Sequence, residues 1–265
     1  MKTFAKFGLI GLALAASSAH ADVFLPNTGN GELTLFVRNE VTGAVYARGL
    51  QIRLDSILTQ ADINAGYTGD SSLGIVQEIN YALGSIGPDA NLTAFLAAAG
   101  NKTWTIMAGD NVGSNLASNA YRYVTTTQVT YNEDNPSGIA SSSLGNTFNN
   151  LQQTLASLND NINGTAGTAG DGVSTSTNGQ WRQTGAVPGE IMADWGGAGP
   201  DTVNALGTAA NLYIFTSGHV GSGSGNASLA RVYQGIDVIL STNGTLSAVA
   251  PVPLPAAVWM LASGL

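Results

Sequence analysis

Cysteine is absent from all 265 residues, so no disulfide, thiolate metal site or cysteine nucleophile belongs to this chain. Histidine is nearly absent, with His20 and His219 the only two. A zinc site of the usual three-ligand type would have to draw its remaining ligands from carboxylates. Lysine is scarce as well: Lys2, Lys6 and Lys102 stand beside six scattered arginines. Nucleic-acid surfaces and polybasic membrane patches need clustered cations, so neither is expected of this chain. Charged residues of both signs make up only 10%, with a net charge of −8. Long apolar runs are also missing. The two that occur, Phe7 to Ala16 and Ala256 to Leu265, fall short of the ~20 residues that span a bilayer.

What is present begins with an export signal. Lys2 and Lys6 flank a short basic start, an apolar stretch follows, and Ser17-Ser18-Ala19-His20-Ala21 supplies small residues before a cleavage point. Ala19 and Ala21 form the A-x-A pattern, which predicts a mature chain from Asp22. That chain has 244 residues and a charge of −10, since the removed segment carries two lysines and no acid. Without disulfides, an exported body of this size must draw its stability from an apolar core and sheet pairing.

The body, residues 22–249, reads as mainly β. Glu32–Arg38 alternates Leu33, Leu35 and Val37 on one face. Asn39–Gly43 turns, and Ala44–Arg48 returns with Leu50, Ile52 and Leu54 continuing the alternation. Further strands are expected at Glu78–Leu83, Thr103–Met107, Tyr121–Thr127, Leu212–Thr216 and Ser228–Thr242, the last bulged at Gly235. Two helices interrupt them. Asp89–Gly100 carries Leu92, Phe95, Leu96 and Ala99 on one face, with Ser85 or Asp89 as its cap. Ser142–Leu158 carries Leu144, Phe148, Leu151, Leu155 and Leu158 at helical spacing, a stripe suited to packing on a sheet. The expected architecture is a single antiparallel β-sandwich-like domain with two flanking short helices.

Chemical motifs are few. Thr216-Ser217-Gly218-His219-Val220 follows an apolar strand, but no Gly-Asp-Ser nucleophile segment follows it, so a serine-protease triad is not supported. Gly69-Asp70-Ser71-Ser72-Leu73 hints at a GDSL hydrolase but lacks the preceding apolar strand. Asn159-Asp160-Asn161-Ile162-Asn163-Gly164 has calcium-loop spacing, yet Gly170 stands where a bidentate Glu is required. Scattered acids permit a glycosidase pair without any local motif for one. Trp181 and Trp195, in a Gly- and Pro-containing stretch, are candidate glycan contacts, with Tyr121 or Tyr123 as additional stacking surfaces; core filling is the simpler reading of both tryptophans. No catalytic residue, metal or cofactor is assigned.

The C-terminal segment 250–265 is of a different kind. Pro251, Pro253 and Pro255 alternate through a stiff stretch and lead into the apolar run. Val252, Pro253, Leu254, Pro255 and Ala256, with the Ala-Val-Trp-Met-Leu that follows, resemble the VPLPA-type variant of the PEP-CTERM sorting tail. The order of hairpin, short helix and Trp-bearing strand is similar, more loosely, to the bodies of other VPLPA-tailed proteins. A full tail of that family continues to a membrane span and a basic cluster, so the sequence reads as part of a longer chain. The resemblance implies delivery to a Gram-negative envelope by the export machinery and an exosortase-type sorting enzyme. It also implies transient contact of the tail with the inner membrane. The function expected is a non-enzymatic cell-surface or extracellular-matrix component associated with exopolysaccharide. A carbohydrate-binding adhesin is the alternative, and a secreted hydrolase a more distant one.

Overall fold

The computed structural model describes residues 30–58, 76–78, 83–111, 121–128, 172–174, 203–216 and 231–249. The strands are β1 (Glu32–Asn39), β2 (Val45–Arg53), β3 (Val76–Glu78), β4 (Lys102–Asn111), β5 (Tyr121–Thr127), β6 (Gly172–Ser174), β7 (Asn204–Ala205), β8 (Ala209–Thr216), β9 (Arg231–Leu240) and β10 (Leu246–Ala248). One helix, α1 (Ala90–Ala97), and a 3-10 turn at Leu54–Ser56 complete the described elements.

The mainly β class expected from the sequence is the class the chain adopts, as an antiparallel sheet curled into a half-barrel. The strands run β10-β9-β8-β5-β4-β1-β2-β6, with β3 paired in parallel to β9 and β7 paired to β4. Among the described residues this is one continuous sheet, where two packed sheets were expected. The reason lies in how the hairpins join. Thr34–Asn39 of β1 lies along Met107–Lys102 of β4, and Arg122–Thr127 of β5 lies along Thr216–Asn211 of β8. Each hairpin thus pairs with the next through a ladder of six residue pairs, leaving no open edges between β1 and β9 to divide two layers.

Local sequence accounts for most of the pieces. Asn39 ends β1 because its Oδ1 accepts from the amides of Val41 (3.0 Å) and Thr42 (3.2 Å), an Asx turn that brings the chain back as β2. Gly43, at φ +70°, closes that turn. β2 carries a register shift opposite Glu32–Thr34, and Gln51 takes φ 58° there. The buried Glu32 carboxylate accepts the Gln51 amide at 2.5 Å, holding this irregular backbone in place. In β9 the register shift falls between Gln234 and Asp237, where the sequence predicts a bulge at Gly235.

One face of the sheet carries Leu33, Leu35, Val37, Tyr46, Trp104, Ile106, Val124, Leu212, Ile214, Val238 and Leu240. Leu92 and Phe95 of α1, together with Leu54, Ile57 and Leu58, join these residues in one core. Burying each large side chain contributes on the order of 1.5–3 kcal/mol. The register places Thr34, Phe36, Thr105, Met107, Tyr123, Thr125, Tyr213 and Phe215 on the opposite face, and these are buried as well. The simple one-sided alternation expected of β1 therefore understates its burial.

α1 begins where the sequence places it. Asp89 is the N-cap, and its Oδ1 accepts the Leu92 amide at 2.7 Å. The Oδ2 atom accepts the Tyr46 hydroxyl at 2.7 Å, tying the helix start to β2. Replacing Asp89 with alanine is expected to cost about 1–3 kcal/mol, as both the cap and the Tyr46 acceptor are lost. Asp89→Asn should retain more than half of that stability in thermal unfolding, and equal losses for the two variants would contradict this assignment. Lys102 closes the other end: its Nζ donates to the carbonyls of Ala98 (2.6 Å) and Gly100 (2.7 Å) and lies 5.9 Å from the Phe95 ring centre. Lys102 is thus a helix C-terminal clamp.

Several expected elements differ or fall elsewhere. Of the strand expected at Glu78–Leu83, Glu78 lies in β3 and Leu83 in a non-strand segment, and residues 79–82 lie outside the described residues. β4 is longer than expected, and β6, β7 and β10 were not expected at all. The helix expected at Ser142–Leu158 lies outside the described residues.

Candidate functional site: the C-terminal sheet edge

The sequence places its functional signals at the chain ends and in one loop. The expected cleavage residues Ala19, Ala21 and Asp22, the expected sorting motif Val252, Pro253, Leu254, Pro255 and Ala256, and the candidate glycan contacts Trp181 and Trp195 all lie outside the described residues. So do His219, the Gly69–Leu73 segment and the loop at Asn159. Tyr123 is described, and it is fully buried with Phe215 as its cross-strand partner, so it is not a stacking surface for sugar rings. Every other aromatic side chain described is also buried or packed in the core: Phe36, Tyr46, Phe95, Trp104, Tyr213 and Phe215.

The described residue nearest to the motif is Val249, and the structure around it is built from β9 outward. β9 ends at Leu240, and Ser241 starts a tight turn. Its amide donates to the Thr245 carbonyl (2.9 Å), and its Oγ accepts the Thr245 amide (3.0 Å). Gly244 takes φ +87° there, and a Cβ on it would lie 2.9 Å from Leu96 Cδ1 and 3.0 Å from Pro88 Cβ. The turn therefore sits directly on α1. β10 then runs back along β9, pairing Leu246 with Leu240, Ser247 with Ile239 and Ala248 with Val238. Leu246 plugs the core, and its amide and carbonyl both bond to Ile86, at 2.9 and 2.8 Å. The Val249 amide donates to the Asp237 carbonyl at 2.8 Å. Beyond the Ile86 bridge, no described element pairs with the outer side of Ser247–Val249.

Several charged side chains elsewhere in the described structure have structural partners. Arg122 is buried, donates to the Leu58 carbonyl at 2.5 Å and pairs with Asp55 at 2.7 Å, linking β5 to the turn after β2. Arg48 donates to the Gly87 carbonyl at 2.9 Å, and Arg38 pairs with Glu40 at 3.3 Å. Glu40 also accepts the Thr103 hydroxyl. Among the described residues, no group of three or more His, Asp or Glu lies close enough to hold a metal ion. No helix among them is long and apolar enough to cross a membrane.

Comparison with protein-family models, curated proteins and solved structures finds no match for this chain. Its function is therefore argued from its own residues.

β10 is the part of this edge that sequence reasoning missed. Its only signal was the alternation of Leu246 and Ala248, too short to separate a strand from a loop. The link from Asp89 to Tyr46 had no sequence signal, because 43 residues separate the two.

Proposed function

We propose that the chain is a non-enzymatic exported protein of the cell surface or extracellular matrix, sorted by an exosortase-type system and associated with exopolysaccharide. The observation that carries this reading is the pairing of two terminal signals: Ala19-His20-Ala21 at the start, and Val252-Pro253-Leu254-Pro255-Ala256 with its apolar sequel at the end. Support comes from the way the body uses its sparse charge. Asp89 caps a helix, Lys102 clamps its end, Glu32 holds a bulge and Arg122 links β5 to a turn. The last described residue, Val249, bonds to Asp237 of β9 and stands three positions before the motif in the sequence.

The test is made on protein exported by the cell that encodes it. Mass spectrometry should find a chain beginning at Asp22. Replacing Pro253 and Pro255 together with alanine should leave the protein held in the cell envelope with its surface delivery largely lost. An intact Met1, or delivery unchanged by the double substitution, would contradict the reading.

A further inference from the structure

The sheet is buried on both faces, yet the described residues supply cover for only one of them. α1, residues 54–58, Leu83 and Leu246 all pack into the core on the first face. On the second face Phe36, Met107, Tyr123, Tyr213 and Phe215 are at most 5% exposed, and none of them belongs to that core. Apolar area of this size stays out of water only against other apolar area. Thr125, between Met107 and Tyr213 in the register, indicates the chemistry of the cover. Its Oγ1 is buried without a hydrogen-bond partner, so what lies over it offers no polar group there.

Strand direction tells which part of the chain must cross that face. β5 runs antiparallel to β4, β4 to β1, β1 to β2 and β2 to β6, so β5 and β6 point the same way at separate places in the sheet. A connection between strands of like direction has to return along a face of the sheet. Residues 128–171 make this connection, and the first face is already filled by α1 and residues 54–58. Within the connection stand Leu144, Phe148, Leu151, Leu155 and Leu158, the helical stripe of the sequence. A helix over 142–158 measures about 25 Å, the length of an eight-residue strand such as β1 or β8.

We infer that the second face of the sheet is a docking face for the chain's own segment 142–158, laid on it as a helix through the leucine stripe. This occupant is apolar along one side, as the unbonded Thr125 hydroxyl requires, and carries Asn146, Asn150, Gln153 and Ser157 along the other. The sheet then lies between two apolar layers, the α1 core on one face and this helix on the other. The aromatic face with Tyr123 and Phe215 is closed within the chain, and is offered neither to a glycan nor to a second copy. This packing is independent of how the tail is sorted.

Photo-crosslinking on the full chain tests the occupant without presuming a register. Phe36→p-azidophenylalanine and Phe215→p-azidophenylalanine each place a reactive ring on the second face with little change of shape. A mixture of isotopically light and heavy chains is irradiated, and the joined peptides are identified by mass. At least one variant should join to a peptide from 142–158 of the same chain. Adducts only between light and heavy chains would make the occupant a second copy, and adducts only to other segments would give the face to those; either result overturns the assignment, as does the absence of any adduct in both variants. A second pair of variants reads the stripe itself. Leu151→Asp should lower Tm by about 5–10 °C, because a charge enters the interface, and Gln153→Asp by less than about 2 °C. Equal shifts for the two would overturn the helical packing.

Discussion

Trp104→Ala is expected to lower the unfolding free energy by about 3–5 kcal/mol, the range for removing a large aromatic from a packed core. The ring is fully buried and lies in the same core as Leu35, Val37 and Ile106. Its loss would be felt beyond the cavity, because Trp104 also organises the place where β4 changes partner. Pairing of β4 with β5 stops at Met107 and Thr125, and β7 takes over at Trp104 and Thr103. The gap between is bridged by side chains. Trp104 Nε1 donates to the Ala205 carbonyl at 2.9 Å, and Asn204 Nδ2 lies 3.1 Å from the Trp104 carbonyl and 3.1 Å from Thr126 Oγ1. Thr126 Oγ1 in turn accepts the Ile106 amide at 3.0 Å. Trp104→Phe keeps most of the volume and loses only the bond to Ala205, so about 1–2 kcal/mol is expected for it. Both values can be read from urea unfolding of the body. A loss below about 1 kcal/mol for the alanine variant would refute the core placement.

Gly31→Ala is expected to be nearly as damaging, although it adds one carbon. A Cβ at residue 31 would sit 2.1 Å from the Gly109 carbonyl oxygen and 3.0 Å from its carbon. Both are backbone atoms of β4, so no side-chain rotation can relieve the contact. The start of β1 would have to move away from β4, and the Gly31 carbonyl would give up the Leu54 amide it accepts at 3.0 Å. About 3 kcal/mol is expected, at the upper end for overpacking. Gly84→Ala is the control. A Cβ there meets nothing within 4 Å, so its effect should stay within about 0.5 kcal/mol. Similar melting temperatures for the two variants would show that β1 and β4 do not approach as described.

The two glycines also show where sequence reading stops. Gly31 sits in a Gly- and Asn-rich stretch that reads as an entry loop, and nothing local marks it as the point where two backbones touch. Gly43 and Asn39, by contrast, were legible as a turn, because an Asx turn closes within a few residues. Lys102 follows the same rule. Its position after a helix was readable, but its bonds to Ala98 and Gly100 depend on how the helix end folds back. The candidate site divides likewise. The motif is read from its residues alone and lies outside the described residues, while the edge strand β10 had no clear local signal.

By itself the sequence determined the alternation of β1 and β2, the strands β5 and β8, the capped helix at Asp89 and the absence of cysteine chemistry. These are properties of residues a few positions apart, where side-chain periodicity and turn chemistry act directly. The tertiary structure alone decided that the hairpins join into one sheet, that Phe36 and Tyr123 are buried on its second face, and that β10 pairs with β9. Each of these is a matter of register between segments far apart in the chain. A one-residue slip leaves the composition and local pattern unchanged while turning every side chain and every N–H to the other side.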